Sequence, residues 1–254
     1  VHIGGAKNSA LKLMAASVMA SDKVRLDNVP VISDVSVMTE VLQVLGATVE
    51  NDAELGGDKH TLHIDTSTVD SFETPYELVA KMRASISILG PLIARFGKAR
   101  VAMPGGCQIG ARKLDMHITS LEALGVCFHT DHGFIDASTP NGLHGAEVVL
   151  DFPSVGATEN LMMASSRAEG VTVIRNAACE PEIEDLANFI NEMGGNVQGA
   201  GTPNITITGV TSMHGTEHRT VGDRIEAGTF LTAGALTGGP VTVEGVNPDH
   251  LALA

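Results

Sequence analysis

Val41-Leu-Gln-Val-Leu-Gly46-Ala-Thr-Val49 is a stretch in which an apolar helix gives way, through a glycine, to a strand. The same order returns as Leu121-Glu-Ala-Leu-Gly125-Val-Cys-Phe128 and as Phe189-Ile-Asn-Glu-Met-Gly194-Gly-Asn-Val197. Each glycine stands where a helix C-terminus takes a left-handed residue. The glycines are 79 and 69 residues apart, too far for a solenoid unit of roughly 20–50 residues. We therefore predict a compact subdomain that occurs three times.

Each copy is expected to contain the same elements. A small-residue helix comes first, at residues 7–20, 83–96 and 156–168, because alanine, methionine and leucine favour helix. A short strand, a turn, an amphipathic helix and two strands follow, so the unit is predicted as β-α-β-α-β-β. A fourth copy begins at Arg224, runs into Val241-Thr-Val-Glu-Gly245 at the position of its first strand, and then breaks off. We predict a first domain at residues 1–221 and the truncated start of a second at 222–254.

The small-residue helices are apolar nearly all round, which predicts that they are buried in the centre with strands outside. Their N-termini would then converge, and helix N-termini attract anions. Lysine, arginine and hydroxyl groups stand at these ends, which suggests a phosphate-binding floor: Lys7, Asn8, Ser9, Arg83, Ser85, Ser154 and Thr158. At any single helix, capping by a polar side chain beside a solvated cation explains the pattern as well.

Residues 103–115 form a glycine-rich segment with Cys107 and Arg112. Glycine lets the backbone pass close to a ligand, and a nearby cation lowers the pKa of a thiol. This pattern favours a functional cysteine, although a small buried hydrophobe is the alternative. Cys127 and Cys179 stand on apolar stretches and are predicted to lie in the core.

Composition restricts the class of protein. The chain has 254 residues, of which 43% are hydrophobic, and a net charge of −14, which argues against a nucleic-acid partner. No apolar run approaches the roughly 18 residues of a membrane helix, so no membrane association is expected. Three cysteines make no disulfide framework and favour a reducing, cytoplasmic location. Ten histidines show no metal-ligand spacing, and no metal or cofactor is expected.

Six motifs together resemble one family, the UDP-N-acetylglucosamine enolpyruvyl transferases of peptidoglycan synthesis. The motifs are Gly5-Ala-Lys7-Asn8-Ser-Ala, Met82-Arg83-Ala-Ser, Pro104-Gly-Gly-Cys107-Gln-Ile-Gly-Ala-Arg112, Ser154-Val-Gly-Ala-Thr158, Glu180-Pro-Glu182-Ile and Asp223-Arg224-Ile-Glu-Ala-Gly-Thr. The resemblance covers essentially the whole chain. It implies an α/β fold of two inside-out α/β barrel domains, each with three β-α-β-α-β-β repeats around central helices.

The resemblance also implies the substrates and their residues. Enzymes of this family transfer an enolpyruvyl group from phosphoenolpyruvate to the 3′-hydroxyl of the sugar in UDP-N-acetylglucosamine, without a cofactor. Cys107 matches the proton donor and the target of fosfomycin, Lys7 and Asn8 match residues at both substrates, and Arg112 matches a phosphate ligand. The matches to UDP-sugar positions are Arg83, Arg112, Lys113, Leu114, Asp115, Met116, Phe152, Pro153, Ser154 and Val155.

Two departures from the family pattern affect these expectations. Lys113-Leu114 replaces the proline and β-branched residue of many members. The second domain, which supplies the aspartate base and a further arginine, is missing, so the chain alone is expected to be inactive. Two other functions stay open: the related transferase that acts on shikimate phosphate, which lacks the cysteine loop, and a silent UDP-sugar-binding paralogue with a regulatory role. The oligomeric state is not predicted.

Overall fold

Three small sheets surround a group of buried helices in the structure, a computed structural model that describes residues 1–53, 59–79, 83–103 and 114–252. In the first repeat, the predicted helix at 7–20 is present and ends in a 3-10 turn. The elements are α1 (Lys7–Ala16), the 3-10 turn (Ser17–Met19), β1 (Lys23–Pro30), α2 (Ser33–Val44), β2 (Thr48–Ala53) and β3 (Lys59–Asp65).

The second repeat has the same order, but its first helix is divided. Its elements are α3 (Tyr76–Val79), a 3-10 helix (Arg83–Ile88), α4 (Leu89–Phe96), β4 (Lys98–Ala102), α5 (Asp115–Glu122), β5 (Cys127–Asp131) and β6 (Phe134–Ser138). Pro91 lies in the first turn of α4. Because proline has no N–H to donate to the carbonyl four residues earlier, regular helix begins only at Leu89.

The third repeat and the C-terminal segment complete the described chain. The repeat consists of β7 (Glu147–Val149), α6 (Val155–Ser165), β8 (Val171–Arg175), α7 (Pro181–Glu192), β9 (Val197–Gln198) and β10 (Asn204–Thr208). The last elements are β11 (Glu217–Arg219), α8 (Arg224–Thr237) and a 3-10 helix (Pro248–Leu251). Within the described ranges, no helix combines the length and the apolar character needed to cross a bilayer.

The sheets repeat one pairing pattern, which confirms the predicted internal repeat. Their strand orders are β11-β1-β3-β2, β4-β6-β5 and β7-β8-β10-β9. In each sheet an antiparallel set is flanked by a parallel partner: β11 beside β1, β7 beside β8, and a parallel bridge from Glu73 to Arg100 beside β4. The glycines that end the outer helices have φ of 103° at Gly46 and 91° at Gly125 and Gly194, as predicted.

The small-residue helices α1, α4 and α6 lie in the core, as predicted, with the sheets outside them in an inside-out α/β barrel. Their C-terminal ends meet at Arg95. Its guanidinium donates to the carbonyls of Val18 (3.0 Å) and Ala20 (2.6 Å), beyond α1. Burial lowers the pKa of Arg95, and the charge of Arg167, beyond α6, lowers it further. The N-termini of the three helices therefore share the opposite end of the bundle.

Helix α8 differs from the other small-residue helices because it is largely exposed. Only Ala227 and Gly234 are buried in it, whereas Leu236 is 83% exposed. The strand predicted at residues 241–245 is reduced to a parallel bridge between His2 and Glu244. A strand needs a partner along its length, and within the described chain only the short N-terminal segment pairs with it.

Candidate active site

Lys7 and Asn8 open α1, and both side chains are exposed. Ala6 precedes them in an extended conformation and offers no side-chain cap, so neither residue serves as the helix cap. The Lys7 ammonium lies 3.5 Å from the Asp34 carboxylate of α2. A helix N-terminus with an exposed lysine and amide is suited to an anionic ligand.

The second predicted segment, Phe152 to Val155, leads into α6. Ser154 caps this helix, since its Oγ accepts from the Ala157 N–H at 3.4 Å, which agrees with the capping alternative. Phe152 is 57% exposed, Pro153 is exposed, and Val155 is partly buried against the core. The segment therefore presents an apolar, accessible approach to a helix N-terminus.

The third segment, Leu114 to Met116, opens α5 and lies beside the second. Leu114 and Met116 pack partly buried against the core, and Asp115 is exposed in the first turn. His117 follows and contacts the first turn of α6 so closely that a Cβ on Gly156 would lie 3.1 Å from its ring. The structure thus brings together two segments that the sequence assigns to one ligand.

The remaining predicted residues cannot be placed against these segments. Cys107, Arg112 and Lys113 lie outside the described residues, and so does the side chain of Arg83, whose backbone opens the 3-10 helix before α4. Their roles stay predictions. On the described flank, the Met103 N–H donates to the Gly133 carbonyl at 2.8 Å, which attaches the start of the segment to the β5–β6 turn.

Cys127 and Cys179 were predicted to be core residues, and that prediction is wrong: both are exposed. Cys127 lies on β5, an edge strand of which nearly every residue faces outward. Cys179 precedes α7, where partial burial and the charges of Glu180 and Glu184 raise the pKa of its thiol. The apolar neighbours in sequence misled at Cys127 because β5 is an edge strand that is exposed along most of its length, and at Cys179 because the residue lies in the connection between β8 and α7.

Buried polar side chains on α6 were missed by the sequence analysis. Glu159 and Asn160 are both fully buried. Glu159 pairs with Lys12 of α1, Oε2 to Nζ 2.9 Å, and the same Nζ lies 3.4 Å from the Asn8 carbonyl. Burial raises the pKa of Glu159, and the Lys12 charge opposes that rise. The available signal was two polar residues inside an otherwise apolar helix.

A second buried network was also missed, and it joins α1 to α7 and β11. Asp185 accepts from the Ser9 hydroxyl and lies 2.9 Å from His218 Nε2, while Glu192 lies 2.7 Å from His218 Nδ1. Burial alone would lower the pKa of His218, but its hydrogen bonds to the two carboxylates and their charges outweigh burial and raise it. The network lies just behind the residues that open α1.

The N-termini of α1 and α8 meet at one carboxylate. Asp223 Oδ1 caps α8, accepting from the N–H groups of Ile225 (2.9 Å) and Glu226 (3.1 Å). Its Oδ2 accepts from the N–H of Lys7 at 3.3 Å. The neighbouring Arg224 pairs with the buried Glu182 of α7 at 3.1 Å. These bonds hold the start of α8 against the candidate site.

Two open cavities of the described chain lie away from these segments. One of about 510 Å³ is found between α2 and the β2–β3 hairpin, and another of about 580 Å³ borders β1. Neither is lined by Lys7, Asn8 or the residues at 114–116 and 152–155. Within the described chain, the candidate site is defined by the helix N-termini and lies outside these two cavities.

Comparison with known proteins covers the whole chain. The EPSP synthase (3-phosphoshikimate 1-carboxyvinyltransferase) family matches residues 1–254. UDP-N-acetylglucosamine 1-carboxyvinyltransferase 2 of Staphylococcus saprophyticus is 53% identical over 252 residues, and UDP-N-acetylglucosamine 1-carboxyvinyltransferase 1 of Staphylococcus aureus (strain N315) is 52% identical over 253. Each alignment covers 99% of this chain and 59% of the relative. The chain thus spans little more than half the length of these relatives.

Solved structures agree with the fold. The enolpyruvyl transferase NikO from Streptomyces tendae has a TM-score of 0.80 at 24% identity, covering 92% of this chain and 54% of that one. EPSP synthase from Acinetobacter baumannii has a TM-score of 0.70 at 16% identity, covering 98% and 56%. Because the family match runs from end to end and these structures share the fold, the chain belongs to the EPSP synthase (3-phosphoshikimate 1-carboxyvinyltransferase) family.

Proposed function

We propose that the chain is part of an enzyme that transfers the enolpyruvyl group of phosphoenolpyruvate to the 3′-hydroxyl of UDP-N-acetylglucosamine and releases phosphate. The observation that carries the proposal is the 52–53% identity, over 99% of this chain, to proteins named for that reaction. The shikimate-phosphate reaction is the less favoured alternative, since the EPSP synthase from Acinetobacter baumannii is 16% identical.

The division into domains belongs to the same proposal: a first domain at 1–221 and the start of a second at 222–254. Exposure of α8 supports it, because the corresponding helices α1 and α6 are buried by their own domain. The bridge between His2 and Glu244 supports an N-terminal segment that crosses to the second domain. A second domain beyond residue 254 would cover α8 and add residues to the site.

Substrate binding follows from the positions of the helix ends. Phosphoenolpyruvate, an anion, would lie at the N-terminus of α1 near Lys7 and Asn8, with Arg112 as a second cation. The UDP-sugar would lie along Leu114 to Met116 and Phe152 to Val155, which the structure holds side by side. Arg83 and Lys113 would complete that surface, and no cofactor is required.

The chemistry then needs one acid and one base. Cys107 would give a proton to the methylene carbon of phosphoenolpyruvate while the sugar hydroxyl adds to its central carbon. Return of one methyl proton to the Cys107 thiolate, with breaking of the C–O bond to phosphate, would restore the double bond and give the enol ether. Lys7 and Arg112 would stabilise charge on the departing phosphate. The base for the sugar hydroxyl would come from the second domain. We place the reaction in cytoplasmic peptidoglycan synthesis.

Variants at Cys107 test this function in a protein extended to include the second domain. Phosphate release from phosphoenolpyruvate and UDP-N-acetylglucosamine should persist in Cys107→Asp, because a carboxylic acid can also deliver the proton. It should fall strongly in Cys107→Ser, since a hydroxyl is a poor acid at neutral pH. Fosfomycin should inactivate the parent and spare Cys107→Asp. A fully active Cys107→Ser enzyme would leave the mechanism without its acid.

A further inference from the structure

Asn160 lies where three elements meet the middle of α6, and its side chain is fully buried. Its Oδ1 accepts from the Gly90 N–H at 2.9 Å, and its Nδ2 donates to the Ile86 carbonyl at 3.1 Å. The same Nδ2 lies 3.0 Å from Nδ1 of His117 on α5. One amide therefore joins α6 to α4, to the preceding 3-10 helix and to α5.

These backbone partners fix the orientation of the amide. The Gly90 N–H can only donate and the Ile86 carbonyl can only accept, so exchanging the oxygen and nitrogen of Asn160 would break both bonds. Nδ2, which only donates, must then be the atom that faces His117. Nδ1 of His117 has to accept, which requires a neutral imidazole with its proton on Nε2.

We propose that Asn160 is a positioning residue: it holds His117 as the Nε2–H tautomer and thereby fixes the first turn of α5 against that of α6. His117 directly follows Leu114 to Met116, and its ring packs on Gly156, directly after Phe152 to Val155. The effect of this Asn160–His117 hydrogen bond on UDP-sugar binding rests on the function proposed above. The tautomer itself does not.

Asparagine can satisfy all three partners at position 160, whereas leucine and aspartate, which have a similar size, cannot. Asn160→Leu has a similar size but leaves the Gly90 N–H, the Ile86 carbonyl and His117 without this partner. Asn160→Asp keeps an acceptor for Gly90, but its second oxygen, when the carboxylate is ionised, loses the hydrogen bond to the Ile86 carbonyl and can only accept from His117 Nδ1. His117 must then carry a proton on Nδ1, so the aspartate variant reverses the hydrogen bond.

The test is long-range proton–nitrogen NMR of histidine nitrogens in the extended protein, with His117→Gln assigning the signals. We expect the parent to show unprotonated Nδ1 and protonated Nε2 at His117, and Asn160→Asp to show protonated Nδ1. His218, between two carboxylates, supplies a reference in which both nitrogens face acceptors. Asn191→Asp, which removes the hydrogen bond donated to the Val197 carbonyl between α7 and β9, should leave the His117 signals unchanged.

Kinetics test the positioning. Asn160→Asp should raise the Michaelis constant for UDP-N-acetylglucosamine about tenfold, and that for phosphoenolpyruvate far less, because the altered hydrogen bonds hold α5 and the 3-10 helix before α4 and do not involve α1. A parent with protonated Nδ1, or an Asn160→Asp protein with the parental tautomer, would overturn the proposal. The proposal would also be overturned if active Asn160→Asp enzyme showed the reversed His117 tautomer but unchanged Michaelis constants. An inactive parent that shows the expected tautomers would contradict only the proposed function.

Discussion

His218 shows at the scale of one residue how a buried network responds to pH. The hydrogen bonds and charges of Asp185 and Glu192 raise its pKa in the folded protein despite burial. The folded state therefore holds this proton more tightly than the unfolded state. The stabilisation is fully present below the unfolded pKa and is lost as pH rises through the higher folded pKa.

We expect His218→Gln to reduce stability most at pH 6 and progressively less as pH rises above the ordinary histidine pKa. The difference from the parent should shrink by at most about 1.4 kcal/mol per pH unit, the limit for one proton. Urea unfolding at a series of pH values measures this difference in the free energy of unfolding. His63→Gln, at a histidine whose side chain is 44% exposed, is the control. A difference between parent and variant that stays constant with pH would contradict this role.

Single residues were also where sequence reasoning was least complete. Ser154 and Lys7 could be placed at helix N-termini because capping and small-residue patterns are local. The partners of Asn160 come from residues 86, 90 and 117, which only the fold brings together. The exposure of Cys127 depended on which face of a strand it occupies, and its position on an edge strand is not visible in sequence.

At the scale of the elements, α1 and α6 are joined by the Lys12–Glu159 pair, whose side chains are 12% and 1% exposed. Removing one partner of a buried pair leaves an uncompensated charge, whereas replacing both by apolar residues is often neutral. The pair therefore contributes more to the relative position of the two helices than to net stability.

We expect Lys12→Met alone to destabilise the protein by about 3–5 kcal/mol, and Lys12→Met with Glu159→Leu to be close to the parent. The reason is that Glu159 no longer has to be buried without its cation. Denaturant unfolding of both single variants and the double variant measures this coupling. Strictly additive losses would show that the two residues act independently.

The close contact between α4 and α6 depends on Gly90, which has no side chain. A Cβ at Gly90 would lie 2.6 Å from the Asn160 carbonyl oxygen, so the helices must separate to admit it. We expect Gly90→Ala to cost about 1–3 kcal/mol. Gly228→Ala in α8, where nothing lies within 4 Å, should gain about 0.5–1 kcal/mol in this chain. Thermal unfolding measures the change in stability of each variant. Equal changes for Gly90→Ala and Gly228→Ala would contradict close packing at Gly90.

Helices and strands were predicted well where apolar residues recur with one period over many positions. Val35, Met38 and Val41 recur at 3.6-residue spacing, which predicts the amphipathic helix of the first repeat, and all three are buried in α2. The division of residues 83–96 was missed, although Pro91 was visible, because small apolar residues on both sides continue the helical pattern. The strand at 241–245 failed since pairing depends on a partner that local sequence does not supply.

At the scale of the whole molecule, α8 carries exposed apolar side chains that a second domain would cover. We expect its amides to exchange with deuterium quickly in the 254-residue chain and slowly in the extended protein. The amides of α6, buried already, should be protected in both. Equal protection of α8 in the two proteins would contradict the proposed domain boundary.

The threefold architecture was accessible from sequence because the helix–glycine–strand element recurs three times, and the three sheets reproduce it. What closes the barrel was not accessible. Besides β3, β1 pairs with β11, which comes much later in the chain, with Arg25 opposite Glu217. Such pairing over nearly the whole chain leaves no local signal.

We propose that the enzyme containing this chain uses UDP-N-acetylglucosamine as its acceptor. The direct measurement is phosphate release by the extended protein from phosphoenolpyruvate, with UDP-N-acetylglucosamine or shikimate 3-phosphate supplied separately, and with the 254-residue chain as a second sample. We expect release only by the extended protein, only with the UDP-sugar, and with stoichiometric enolpyruvyl-UDP-sugar formed. Release with shikimate 3-phosphate alone, or none with either acceptor, would contradict the account.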